Sequence, residues 1–86
     1  MKVVAIIHYG NAAAIAEHRP RHREYLASLK AQGKLAASGP FEDDSGALII
    51  YEVDNLDEAE RLLAADPFRD VGVFQTYTMK PWRQVF

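Results

Sequence analysis

An α+β fold with the element order βαββαβ is what this sequence predicts, and three observations carry the prediction. Four short β-branched or aliphatic runs alternate with two helix-patterned stretches; a short polar turn joins the second and third runs; the first and third runs are apolar on both faces. In one domain spanning residues 1–86, that order gives the ferredoxin-like arrangement, an antiparallel four-stranded sheet with both helices on one face.

Lys2 to Tyr9 is the first strand. Val3, Ala5, Ile7 and Tyr9 alternate with Val4, Ile6 and His8, so neither face is regularly polar. Gly10-Asn11 breaks the run. Ala12 to Gly33 has helical character with an interruption at Pro20, because proline lacks the amide donor and disfavours helix at the residue before it. The expectation is a short turn over 12–18, then a main helix with Pro20 in its first turn. His22, Leu26, Leu29 and Gly33 form one stripe on that helix, and Gly33 ends it.

Leu35 to Phe41 reads as the second strand and Ala47 to Val53 as the third, with the turn Glu42-Asp43-Asp44-Ser45-Gly46 making them a hairpin. Ala47, Ile49, Tyr51 and Val53 share one face; Leu48, Ile50 and Glu52 share the other. Asn55 followed by Glu58 is a capping box that opens the second helix through Leu56, Ala59, Leu62 and Leu63. Asp66-Pro67 closes it. Val71 to Met79 is the fourth strand, and Lys80 to Phe86 a tail carrying Trp82 and Phe86.

A chain of 86 residues buries a smaller fraction of its surface than a larger domain does, and with no cysteine it has neither disulfides, thiolate metal sites nor a thiol nucleophile to draw on. Association is the remedy left. The two-sided apolar strands predict a homodimer, sheet against sheet, closing a two-subunit barrel, or a larger assembly built on it. A net charge of −2 argues against a nucleic-acid partner. The apolar run before His8 is too short to span a bilayer and lacks a signal-cleavage pattern, so a cytoplasmic location is the default expectation. Arg19, Arg21 and Arg23 cluster, but Glu17 and Glu24 flank them, which favours a solvated helix face.

His22 is the most informative residue. It replaces the apolar side chain expected one turn before Leu26, so it points at the sheet and needs a hydrogen-bond partner. A core histidine satisfied by a carbonyl is the plainer alternative. Asp66 is the best acidic partner, although an aspartate before proline often only caps the next turn, here Pro67 to Arg69. Ser38-Gly39-Pro40 either brings backbone close to a ligand or shapes a strand exit, and His8 and Tyr9 either line a pocket or finish a core. His18 and His22 are four apart, but no glutamate follows His18 and no third ligand is placed, so no metal site is expected.

Several short blocks resemble the YciI-like family in order along the chain. They are Arg19-Pro20-Arg21-His22, Gly33-Lys34-Leu35, Ser38-Gly39-Pro40, Ala65-Asp66-Pro67-Phe68, Gly72-Val73-Phe74 and Lys80-Pro81-Trp82 with Val85-Phe86. The resemblance implies a dimeric α+β barrel whose cleft holds a His–Asp pair, here His22 and Asp66, with Arg19, Ser38, Gly39 and Pro40 as substrate-binding lining. One relative of the family is a dehydrochlorinase acting on a chlorinated aromatic ring, and muconolactone isomerases share the barrel. Ala47 stands where some members carry serine, and the turn Glu42 to Ser45 is shorter than in many.

Three readings follow. The first is a cofactor-independent enzyme on a small organic molecule, with His22 as general base or acid and Asp66 fixing its tautomer, suited to proton abstraction, isomerisation or elimination. The Gly39 amide or Arg19 would stabilise a developing oxyanion. The second is a non-catalytic dimer that binds a small metabolite or serves as an accessory subunit. The third, a haem-degrading or cofactor-free monooxygenase on the same barrel, ranks last because neither His8 nor His18 has a clear axial role.

Overall fold

The computed structural model describes residues 1–86. Its strands are β1 (Lys2–Tyr9), β2 (Leu35–Pro40), β3 (Gly46–Glu52) and β4 (Phe74–Trp82), and its helices α1 (Ile15–Ala31), α2 (Leu56–Ala64) and α3 (Pro67–Asp70). The sheet runs β2-β3-β1-β4 with every neighbouring pair antiparallel. That is the ferredoxin-like α+β topology, and it puts the two most apolar strands at the centre.

The sheet divides cleanly into two faces. Val3, Ala5, Ile7, Ile49 and Tyr51 are fully buried on one, packed with Leu29 of α1, Ala59 and Leu63 of α2 and Phe68 of α3. The alternate residues face the other way. Ile6 lies opposite Leu48 and Val4 opposite Ile50, and Ile6 remains 41 % exposed. The two-sided apolar reading of the central strands therefore holds, and one apolar face is left without helices. No helix is long and apolar enough to cross a membrane.

Local signals explain most boundaries. Gly33 takes φ 75°, the left-handed geometry that ends α1, while the Lys34 amide donates to the Leu29 carbonyl. At α2 the Asn55 side chain accepts from the Glu58 amide; Glu58 reaches back one residue further than expected, to the Asp54 amide rather than that of Asn55.

Several boundaries differ from the sequence reading, the third strand by one residue at each end, since it runs Gly46–Glu52 rather than Ala47 to Val53. α1 is a single helix through Pro20, preceded only by a 3₁₀ turn at Ala12–Ala14. Pro20 costs the one amide that would bond the Ala16 carbonyl. The same helix must deliver both His22 and Leu29 to the core, which a broken axis would not do. The second strand stops at Pro40 rather than Phe41. β4 begins three residues late and runs on to Trp82, because α3 occupies Pro67–Asp70 and Gly72, at φ 79°, turns the chain before it can extend. Pro81 is tolerated because β4 is an edge strand.

Candidate active site

The helix layer does not seal the whole covered face. Between α1 and the β2 edge it leaves a cavity of about 570 Å³. Arg19, His22, Arg23, Leu26, Ala27 and Lys30 form the helix wall; Tyr9, Leu35, Ala37, Ser38, Gly39, Pro40 and Ala47 form the sheet wall, with Phe68 between them. Strand irregularities flank it. β2 is bulged between Leu35 and Ala37, and β1 slips against β4 between His8 and Tyr9. Bulges of this kind re-aim side chains at the rim of a site. Ser38 and Pro40 lie opposite Ile49 and Ala47, and so project to the helix side.

His22 and Asp66 meet inside this frame. The His22 Nδ1 lies 2.8 Å from Oδ1 and 3.0 Å from Oδ2 of Asp66, whose side chain is completely buried. A carboxylate only accepts, so Nδ1 carries a proton, and in the neutral ring Nε2 is the nitrogen with the lone pair. No protein group engages Nε2, and the imidazole lines the cavity. Asp66 is also the N-cap of α3, its Oδ1 accepting from the Phe68 amide at 2.9 Å. The two roles weighed for Asp66, cap and histidine partner, are thus filled by one carboxylate. Pro67 supports both, since it holds Asp66 extended at φ −68° and ψ 131°.

Aromatic rings fix the imidazole plane. Phe68 stacks on it at 4.1 Å with 10° between the planes, and Phe74 meets it edge-on at 5.5 Å. Tyr9 packs edge to face on Phe68 at 6.5 Å. Burial raises the Tyr9 phenol above its ordinary value, while the nearby Arg19 guanidinium pulls the other way. Tyr25 is raised as well, first by burial and then by the Asp66 charge.

The chain matches the YCII-related domain over residues 1–83. It is 37% identical over 67 residues to the uncharacterised protein YjpA of Bacillus subtilis, covering 78% of each chain. It is 32% identical over 78 residues to protein YciI of Escherichia coli, covering 79% of this chain and 80% of that one. The chain belongs to the YCII-related family. Among solved structures it resembles 5-chloro-2-hydroxyhydroquinone dehydrochlorinase (TftG) of Burkholderia phenoliruptrix in complex with 2,5-dihydroxybenzoquinone, with a TM-score of 0.83, 24% identity, and coverage of 96% of this chain and 94% of that one. That likeness concerns the fold.

In this YCII-related chain, Arg19, His22, Ser38, Gly39 and Pro40 all reach one cavity, with Asp66 directly behind His22. His8 does not line it. His18 turns away to Arg21 and Glu17, so it does not converge with His22. The arginine cluster splits: Arg21 stays outside, whereas half-buried Arg19 and exposed Arg23 border the cavity, so the solvated face and the cavity wall share this side of the helix. Lys30 is a wall residue that the sequence reading does not name, and Arg23 and Phe68 are named there without a site role. Spacings of four from Arg19 to Arg23 and of seven from Arg23 to Lys30 were the available signal.

Proposed function

We propose that the chain is a cofactor-independent acid/base enzyme acting on a small organic molecule by proton transfer, isomerisation or elimination. The buried His22–Asp66 pair, with Nε2 unengaged at a cavity wall, carries the reading. Nε2 takes a proton from a carbon or hydroxyl of the substrate. Asp66 keeps the other ring nitrogen protonated and stabilises the imidazolium that results. In an elimination, the electron pair of the broken C–H bond becomes the new double bond, and the leaving group departs with its own bonding pair. His22 then returns the proton to the leaving group or to water. TftG, the structural neighbour, is a dehydrochlorinase, and loss of HCl is chemistry that a lone base can run.

The active species is a homodimer, formed through the helix-free face around Val4, Ile6, Leu48 and Ile50. That surface is apolar and contiguous, and its central pairs are aligned across β1 and β3. Sedimentation at micromolar concentration should report a dimer that Leu48→Lys dissociates. A wild-type monomer would refute this part.

For the chemistry, ring-nitrogen NMR shifts of His22 should report the Nδ1-protonated tautomer, and Asp66→Asn should change them. Incubation in D₂O with chlorinated hydroquinones and unsaturated lactones should give deuterium incorporation or chloride release that His22→Asn abolishes. Unchanged ring shifts in Asp66→Asn, or full turnover in His22→Asn, would sink the dyad. A pocket that binds these compounds without turnover would favour a binding protein instead.

A further inference from the structure

The cavity wall carries an asymmetry of charge that the acid/base pair does not explain. The chain as a whole is slightly acidic, with 12 Asp and Glu against 10 Lys and Arg. Its cavity nevertheless takes Arg19, Arg23 and Lys30 into the wall and no carboxylate. All three come from α1, where positions 19, 23, 26, 27 and 30 make one stripe of the helix. The acids of that helix, Glu17 and Glu24, lie more than about a quarter turn from the middle of the stripe. The segregation is therefore built into the spacing.

These cations are also uncommitted. Arg19, Arg23 and Lys30 make no hydrogen bond or ion pair within the protein, whereas Lys34 and Lys2 are held by Glu58 and Glu52, and Arg69 by the carbonyls of Phe74 and Gln75. Unpaired cations beside a cleft raise the local concentration of anions and strengthen any charge-assisted bond made there. Most of the remaining wall is apolar, with the flat ring of Phe68 beside Leu26 and Leu35, and Tyr9, His22 and Ser38 supply its polar groups.

We propose that the site takes an organic anion, a carboxylate or ionised hydroxyl on a flat apolar body. Its charged group lies against Arg19 and Arg23, and its ring against Phe68. The proposal rests on the acid/base reading of the same cavity and narrows its substrate class. It also gives the base a reason to work. Proton removal by Nε2 builds negative charge on the substrate, and Arg19, one turn before His22, is placed to stabilise it. Lys30, at the far end of the stripe, draws the anion into the cleft.

The test is titration of ¹⁵N-labelled wild-type protein with benzoate, salicylate and 2,5-dihydroxybenzoquinone, against the neutral benzamide and the cation benzylamine. The anions should shift the amides of Ser38, Gly39 and the Arg19–Arg23 turn, and benzoate should bind about tenfold or more tightly than benzamide. Raising salt should weaken benzoate and not benzamide. Arg19→Gln and Arg23→Gln, each checked for an unchanged melting curve, should erase most of that preference. Arg23 is exposed, so at least that variant is free of a folding cost. Equal binding of benzamide and benzoate would overturn the proposal, as would a preference that survives both substitutions or a panel of anions that leaves the cavity amides unmoved. His22→Asn separates the two readings: anion binding should persist there, because it depends on the arginines. Anion selectivity without turnover would keep this inference while removing the acid/base one.

Discussion

The covered face of the sheet has two halves, and they are finished differently. On the β4 side, α2 closes the layer with polar groups tied off in pairs: the Tyr25 hydroxyl donates to the Leu62 carbonyl at 2.7 Å and that of Tyr77 to Glu60 at 2.8 Å. On the β2 side, α1 stands off from the strand edge and leaves the cavity with its unpaired cations and a free imidazole nitrogen. One half satisfies most of its buried polar groups internally; the other leaves several for something outside the chain to satisfy. The contrast teaches where to look for function in a small domain. The cation-rich wall and the buried His–Asp pair belong to the half that is left open.

The largest effect should come from removing the close approach on which both halves hang. A Cβ built at Gly46 would fall 1.8 Å from the Ile7 carbonyl oxygen. β1 and β3 could then not pair at that end, where Ala47 forms cavity wall. Gly46→Ala should cost about 4 kcal/mol or more, enough to leave much of the chain unfolded in a urea titration. A near-normal midpoint would show that the strand end is plastic and the open half less rigid than described.

Next comes the carboxylate that links the halves. Asp66→Ala strips a partner from both His22 Nδ1 and the Phe68 amide, each in a buried setting. The expected loss is about 3 kcal/mol, since breaking a buried pair leaves its other member uncompensated. His22→Phe also strands the buried Asp66 carboxylate, but that group keeps the Phe68 amide and the new ring keeps its stacking on Phe68, so the loss should be somewhat smaller than for Asp66→Ala, which leaves two donors unpaired. The reverse ranking, read from denaturation midpoints, would mean that the histidine and not the cap is the structural member.

A defect in the sealed half gives the third prediction. The Tyr51 side chain is completely buried, and its hydroxyl has no protein hydrogen-bond partner. Burial raises its pKa far above the ordinary phenol value, with the Asp66 charge acting the same way. Tyr51→Phe removes a desolvated group and keeps the ring, so stability should rise by about 1 kcal/mol. A loss of similar size would show that the hydroxyl is satisfied in solution, and the sealed half would then have no defect.

Much of this layout was legible because it rests on local chemistry. The alternation in β1 and β3, the Asn55 cap and the Gly33 stop each mark their place without reference to the rest of the chain. His22 stood out as a polar residue on an apolar stripe. The cavity did not, because it depends on how far α1 stands from β2, which no local pattern encodes. For that reason the stripe is recognisable by its apolar members alone; Arg23, on the adjoining wall, reads as part of a charged face, and Lys30 gives no signal of its own. Pro20 misled because the rule against helix before proline is a cost, and the core contacts of His22 and Leu29 on the same helix outweigh it. The start of β4 slipped because Pro67 begins a short helix whose carboxylate cap also serves the histidine.

The smallest effect tests whether the sealed half is stabilised by charge as well as by packing. Glu58 sits near the start of α2, where it accepts from the Asp54 amide at 2.9 Å and from Lys34 at 2.9 Å. The Asp54 amide bond is the main cause that holds its carboxyl below the ordinary value of 4.5, with Lys34 adding to it. A carboxyl whose pKa is depressed by folding contributes stability above its unfolded value and loses it as pH falls through the folded one. Wild-type protein should therefore lose stability on acidification from about pH 5 to about pH 3 more steeply than Glu58→Gln, the two curves converging at the acid end. Parallel curves would mean that the Glu58 contacts exchange freely with water. The order of the sealed half would then be a matter of apolar packing alone, and the cations gathered on one cavity wall would be what sets the open half apart from it.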